Sequence, residues 1–211
     1  MAAADPSDKT LQSELGEYLS DGGDDVFRAG APREALGYLR RAQPDNGVFQ
    51  LYQGLTEAQL GVVLGHKKPS RDSTLWVRRA FSDLTKLAAH DPKDTVNQLE
   101  LIKVERWLAD NLARSGEEQQ SLALAQDAIS KAKAVAGDVS ATPESWSELP
   151  RAYTAMAETC RTLGKQAEAR QWYRTALTEW DKMRAKGVDF PEAEPEIEEA
   201  RKGAGVSAPR R

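Results

Sequence analysis

Few residues in this chain of 211 could do covalent chemistry, and their spacing builds no recognisable catalytic centre. Lone Cys160 could act as a nucleophile only if exposed beside a base. It stands among Tyr153, Met156, Ala157 and Leu163, which reads as a small core residue. His66 and His90 are the only imidazoles. One falls in a turn and the other at a helix end beside Asp91, where a cation suits the C-terminal dipole. The sequence has no His-Glu-x-x-His, no Cys-x-x-Cys and no Gly-rich strand-to-helix loop. Asp24-Asp25 and the glutamate-rich run Glu192–Glu199 read as solvated faces rather than acid/base pairs. The five tryptophans could form a ligand cage, but Trp76 and Trp172 recur at matching places, so packing explains them better. The expectation is a protein that is not an enzyme, with no catalytic residue, no metal and no cofactor.

Composition narrows the partner class. Lysine and arginine number 29 against 33 aspartates and glutamates, a net charge of −4. Phosphate neutralisation needs a basic field, so nucleic acid is not expected. One cysteine excludes an internal disulfide framework and a multi-cysteine metal site. Hydrophobic residues at 40% and charged ones at 29% suit a folded chain. No apolar run approaches the roughly 20 residues of a membrane span. Met1-Ala-Ala-Ala-Asp5 lacks the basic and apolar parts of a secretory leader. A cytoplasmic protein without membrane contact is expected.

The elements that position these residues are helices throughout. Ala, Leu, Glu, Gln, Lys and Arg dominate, and apolar residues recur at three and four. Asp8 and Asp94 each follow an Asp-Pro pair and read as N-caps. Predicted helices run about 9–29, from Pro32 past Ala42, then 48–64, 72–90, 95–115, 117–136, 144–163 and 166–186. The fourth places Leu75, Trp76, Ala80, Phe81, Leu84 and Leu87 on one stripe. Thr142-Pro143 reads as cap and first helical residue after the longest loop. Residues 191–203 suit a short capping helix, and 204–211 a disordered tail.

These helices also repeat. Asp5-Pro6, Asp8, Gln12, Glu14-Leu15, Asp24, Arg28, Gly30, Leu36 and Ala42 return as Asp91-Pro92, Asp94, Gln98, Glu100-Leu101, Asp110, Arg114, Gly116, Leu122 and Ala128. Trp76, Arg78, Ala80, Lys86 and Ala89 return as Trp172, Arg174, Ala176, Lys182 and Ala185. One module therefore occurs twice, at residues 1–90 and 91–190. Repeated helical units bury their faces against neighbours, as in a stacked solenoid.

Within that module, Tyr153-x2-Met156-Ala157-x2-Cys160-x3-Gly164-x4-Ala169-x3-Tyr173-x2-Ala176 resembles the tetratricopeptide repeat (TPR). The first repeat in this frame carries Leu19, Gly23, Val26, Gly30, Ala35, Leu39 and Ala42. The second carries Leu60-Gly61, Leu64, Ser73, Val77 and Ala80, and the third Leu108-Ala109, Leu112, Gly116, Ser121, Ala125 and Ala128. Repeats starting at residues 16, 54, 102 and 150 are longer than the usual 34. Glu57 and Glu105 depart from the family by occupying its large apolar fourth position. The stretch Glu168–Gly187 is also similar to the C-terminal repeat region of certain bacterial serine/threonine kinases. The resemblance implies an all-α, right-handed α-solenoid of about four TPR-like hairpins with extended helices.

The resemblance further implies a protein-protein interaction scaffold that holds a protein or peptide segment in its groove. The family's groove positions fall on Asp24, Phe27, Leu55, Val62, Lys103, Arg106, Asp110, Arg114, Arg151, Glu158 and Arg161. The first repeat is acidic there, the second apolar and the last two predominantly basic. That gradient suits an acidic end on Lys103, Arg106 and Arg151, the alternative being cations that pair with neighbouring glutamates. The family's carboxylate clamp is absent, since Glu17, Ser20 and Asp24 occupy the first-repeat positions. A second expectation is a regulatory segment of a larger signalling protein such as a kinase, working through self-association as a homo-oligomer.

Overall fold

The computed structural model describes residues 47–206. The first predicted hairpin, with the Asp8 cap, Asp24 and Phe27, lies outside them, as do residues 207–211 of the predicted tail. Contacts divide the chain into two compact units that meet at Pro92 and Lys93. The first unit contains α1 (Gly47–Gly65) and α2 (Arg71–His90). The second contains α3 (Thr95–Arg114), α4 (Glu118–Ala136), α5 (Pro143–Thr162) and α6 (Gln166–Ala185). A 3-10 turn, Pro191–Ala193, then leads into α7 (Glu194–Ala204). The described residues are all-helical, with no strand.

Local chemistry sets the ends of these helices. Ser70 opens α2 with a reciprocal capping box to Ser73. Asp94 accepts from the Asn97 backbone amide at 3.1 Å, and Thr142 caps α5 immediately before Pro143. Gly116 and Gly164, one repeat apart, close α3 and α5 at φ 83° and 78°. That left-handed backbone lets Glu117 and Lys165 donate back to the Leu112 and Cys160 carbonyls at 2.9 and 2.8 Å. Two helices thereby reverse direction in very few residues.

Packing joins neighbours. α1 lies against α2, α3 against α4, α5 against α6 and α6 against α7. α5 also packs on both α3 and α4, so the second unit continues from one pair to the next. Close approach needs small side chains at the crossings. Gly61, Ala109 and Ala157 are buried on the first helices, as are Ser73, Ser121 and Ala169 at the starts of the second. Ala80, Ala128 and Ala176 on the second helices are fully buried. A β-carbon on Gly61 would meet Val77 Cγ2 at 2.4 Å and the Ser73 carbonyl oxygen at 2.7 Å. Leu101, Ile102, Leu108, Leu112, Ile129, Met156 and Tyr173 fill much of the second unit's interior.

Three local expectations need correction. On α2 the buried stripe is Ser73, Val77, Ala80, Leu84, Leu87 and Ala88. Leu75 is 61% exposed, because the crossing with α1 turns the buried face toward Val77. Leu64, at a repeat position that the resemblance gives to a large apolar side chain, is exposed. At the other end, helix α7 runs through Gly203 and Ala204. Ala204 is buried, and Gly203 lies so near Tyr173 that a β-carbon would meet its Cε2 at 2.2 Å. Ala204 thus belongs to the fold rather than to a disordered tail.

Candidate functional site

Within the second unit, α3, α5 and α7 border a cleft of about 520 Å³. α3 contributes Leu99, Glu100, Lys103, Arg106 and Trp107; α5 contributes Glu144, Glu148 and Arg151; α7 contributes Glu196. Successive turns of α3 and α5 bring these residues to one face. The wall is laced by ion pairs. Arg106 Nη2 donates to Glu148 Oε2 at 2.9 Å, and Arg151 Nη1 to Glu148 Oε1 at 3.4 Å. Arg151 Nε reaches Glu196 Oε2 at 3.2 Å. Lys103 pairs with Glu100 at 2.9 Å and lies over the Trp107 ring, 5.5 Å from its centroid. Glu144 joins no ion pair among the described residues. A hydrogen bond from its own backbone amide, and a second with the Thr142 side chain, hold its carboxyl below the usual range.

Further along the same helices lies a second charged group. Arg114 pairs with Asp110 at 3.7 Å on α3, and Arg161 with Glu158 on α5. The Tyr173 hydroxyl on α6 donates to the same Glu158 carboxylate. Burial raises the Asp110 carboxyl, opposed by Arg114 and Arg161. Burial also raises Glu158, with Arg161 opposing and Glu199 and Asp110 reinforcing.

Two carboxylates flagged by the repeat pattern sit inside the hairpins rather than in the cleft. Glu57 and Glu105 are both fully buried. Arg79 Nε on α2 approaches Glu57 Oε2 at 3.3 Å, and Gln53 donates to Oε1 at 3.3 Å. Lys131 on α4 donates to both oxygens of Glu105, at 2.9 and 2.8 Å, and to Asp127 at 2.6 Å. Burial pushes the Glu105 carboxyl up to about 7 despite the lysine. Each acid at the apolar fourth position is therefore matched by a cation from the paired helix.

The structure brings Lys103, Arg106 and Arg151 together in the cleft, with Asp110, Arg114, Glu158 and Arg161 in the second group. Leu55 is half-buried and Val62 is 37% exposed, both on α1 in the first unit. Glu100, Glu148 and Glu196 place a carboxylate beside every cation of the cleft, so the expected basic ridge is charge-balanced. Sequence reasoning missed Trp107, Leu99 and Glu144. An indole directly after Arg106 was a usable signal for the first. Cys160 is buried, and burial raises its thiol. His66 and His90 are exposed. Among the described residues no cluster of His, Cys, Asp or Glu is placed to hold a metal ion, and no helix is long and apolar enough to cross a membrane.

No protein-family model matches the chain, and no curated protein shows significant similarity to it.

Proposed function

We propose that this chain is a TPR-type α-solenoid that works as a protein-binding scaffold, with a segment of the partner seated against α3, α5 and α7. The observation that carries the reading is the α3–α5–α7 cleft, where Trp107 and Leu99 offer apolar anchoring beside oriented charges. A surface already folded and cross-braced by ion pairs loses little freedom on binding, so most of the contact energy is retained as affinity. Small buried residues at every crossing, and α5 packing on both helices of the preceding pair, support the solenoid part. A cytoplasmic setting belongs to the same proposal, since the single cysteine is packed as an apolar group. The test is selection of random dodecapeptides displayed on phage against the full chain. Selected peptides should lose about tenfold or more in affinity on Trp107→Ala, with the fold unchanged by circular dichroism. Peptides indifferent to that substitution would count against the reading.

A further inference from the structure

Resting on that reading, we infer that the cleft takes a basic segment of its partner, with a Lys or Arg meeting Glu144 and Glu196 while a neighbouring apolar side chain lies on Trp107 and Leu99. The cations of the cleft are already paired, while two of its carboxylates can still take a charge. Arg106 and Arg151 converge on Glu148, whose side chain is only 9% exposed. An acidic partner that drew both guanidinium groups onto itself would leave Glu148 buried without a counter-charge, which is strongly unfavourable. Lys103 is likewise engaged by Glu100 and by the Trp107 face.

The carboxylates stand differently. Glu144 is exposed and joins no ion pair among the described residues. The Glu196 side chain is 45% exposed and has one partner, Arg151, at 3.2 Å. An incoming cation can therefore add to both without breaking any pair. The flat Trp107 ring, which lines the same cleft, suits the aliphatic stem of Lys or Arg, or an adjacent Leu. The chain's net charge of −4 favours approach of such a partner as well.

The dodecapeptide selection on the full chain also decides this inference. The expected peptides combine Lys or Arg with one large apolar residue and bind more weakly as salt rises. Glu144→Gln together with Glu196→Gln should weaken them about tenfold, and Glu144→Gln alone should weaken them measurably while the chain stays folded by circular dichroism. Acidic peptides that still require Trp107 would overturn the basic-segment inference and leave the groove reading standing. Peptides that ignore Trp107, or no selection at all, would overturn both.

Discussion

Hairpin α1–α2 and hairpin α5–α6 solve one packing problem in opposite ways. Trp76 and Trp172 hold the same repeat position, and both are half-buried. Facing them, the fourth repeat position is Glu57 in one hairpin and Tyr153 in the other. In α5–α6 the two rings stack directly, with centroids 5.6 Å apart and planes 19° from parallel. In α1–α2 a cation joins the pair instead. Arg79 lies 6.0 Å over the Trp76 ring and 3.3 Å from Glu57. Hairpin α3–α4 takes the charged solution further, with Leu124 in place of the tryptophan and Lys131 gripping Glu105 by both oxygens. A repeat position that demands bulk accepts a carboxylate, provided the paired helix supplies the counter-charge.

The largest break in this comparison should come from Lys131→Ala. It leaves Glu105 buried without its cation, and such losses typically cost about 3–5 kcal/mol. Chemical denaturation at about pH 8 should show that loss. At about pH 6 the loss should shrink, because protonation then neutralises the orphaned acid.

Next comes the pH profile of the wild type. Burial holds Glu105 at about 7 in the folded chain against an ordinary 4.5. The folded state therefore keeps a proton that the unfolded chain has released between those values. The resulting stability is complete below about pH 4.5 and disappears as pH rises through about 7. Asp110 and Glu158, also raised by burial, act with the same sign, while Asp127, lowered chiefly by its hydrogen bond with Lys131, acts oppositely at lower pH. Unfolding free energy should fall by about 1–3 kcal/mol from about pH 5 to pH 8, and Glu105→Gln should remove most of that slope. A slope unchanged in the variant would assign the dependence elsewhere.

The aromatic solution should be less sensitive to pH and moderately sensitive to truncation. Trp172→Ala removes a half-buried ring stacked on Tyr153 and should cost about 2 kcal/mol, read from the melting midpoint. Arg79→Ala should cost least, about 1 kcal/mol, because Arg79 is nearly half exposed and Gln53 still donates to Glu57. If Arg79→Ala proved as costly as Lys131→Ala, the two charged hairpins would be equivalent rather than graded.

Much of the fold was legible because its signals are local. Asp94, Thr142-Pro143, Gly116 and Gly164 announce helix ends through chemistry confined to a single turn. The small residues Ala109, Ala157, Ala128 and Ala176 announce the crossings because only their size permits them. The α2 stripe was misread because a helix with Leu75, Trp76 and Phe81 offers two apolar faces, and the crossing with α1 selects the one through Val77. Ala204 looked like the start of a tail because the glycines on either side of it hide a helix end packed beside Tyr173. The cleft was half legible. Lys103, Arg106 and Arg151 follow from repeat position, whereas Glu148 neutralises Arg106 and Glu196 neutralises Arg151 from other helices, 42 and 45 residues away in sequence. Distant pairing of that kind leaves no periodicity to read.

Photo-crosslinking tests the binding face most directly. A benzophenone amino acid would replace Leu99 at the cleft in one full-length variant, and exposed Leu75 on α2 in another. Each would be irradiated with a peptide selected on the wild-type chain. The account predicts a crosslinked product from position 99, suppressed by excess unlabelled peptide, and none above background from position 75. Equal labelling at both positions, or labelling at position 75 alone, would contradict it.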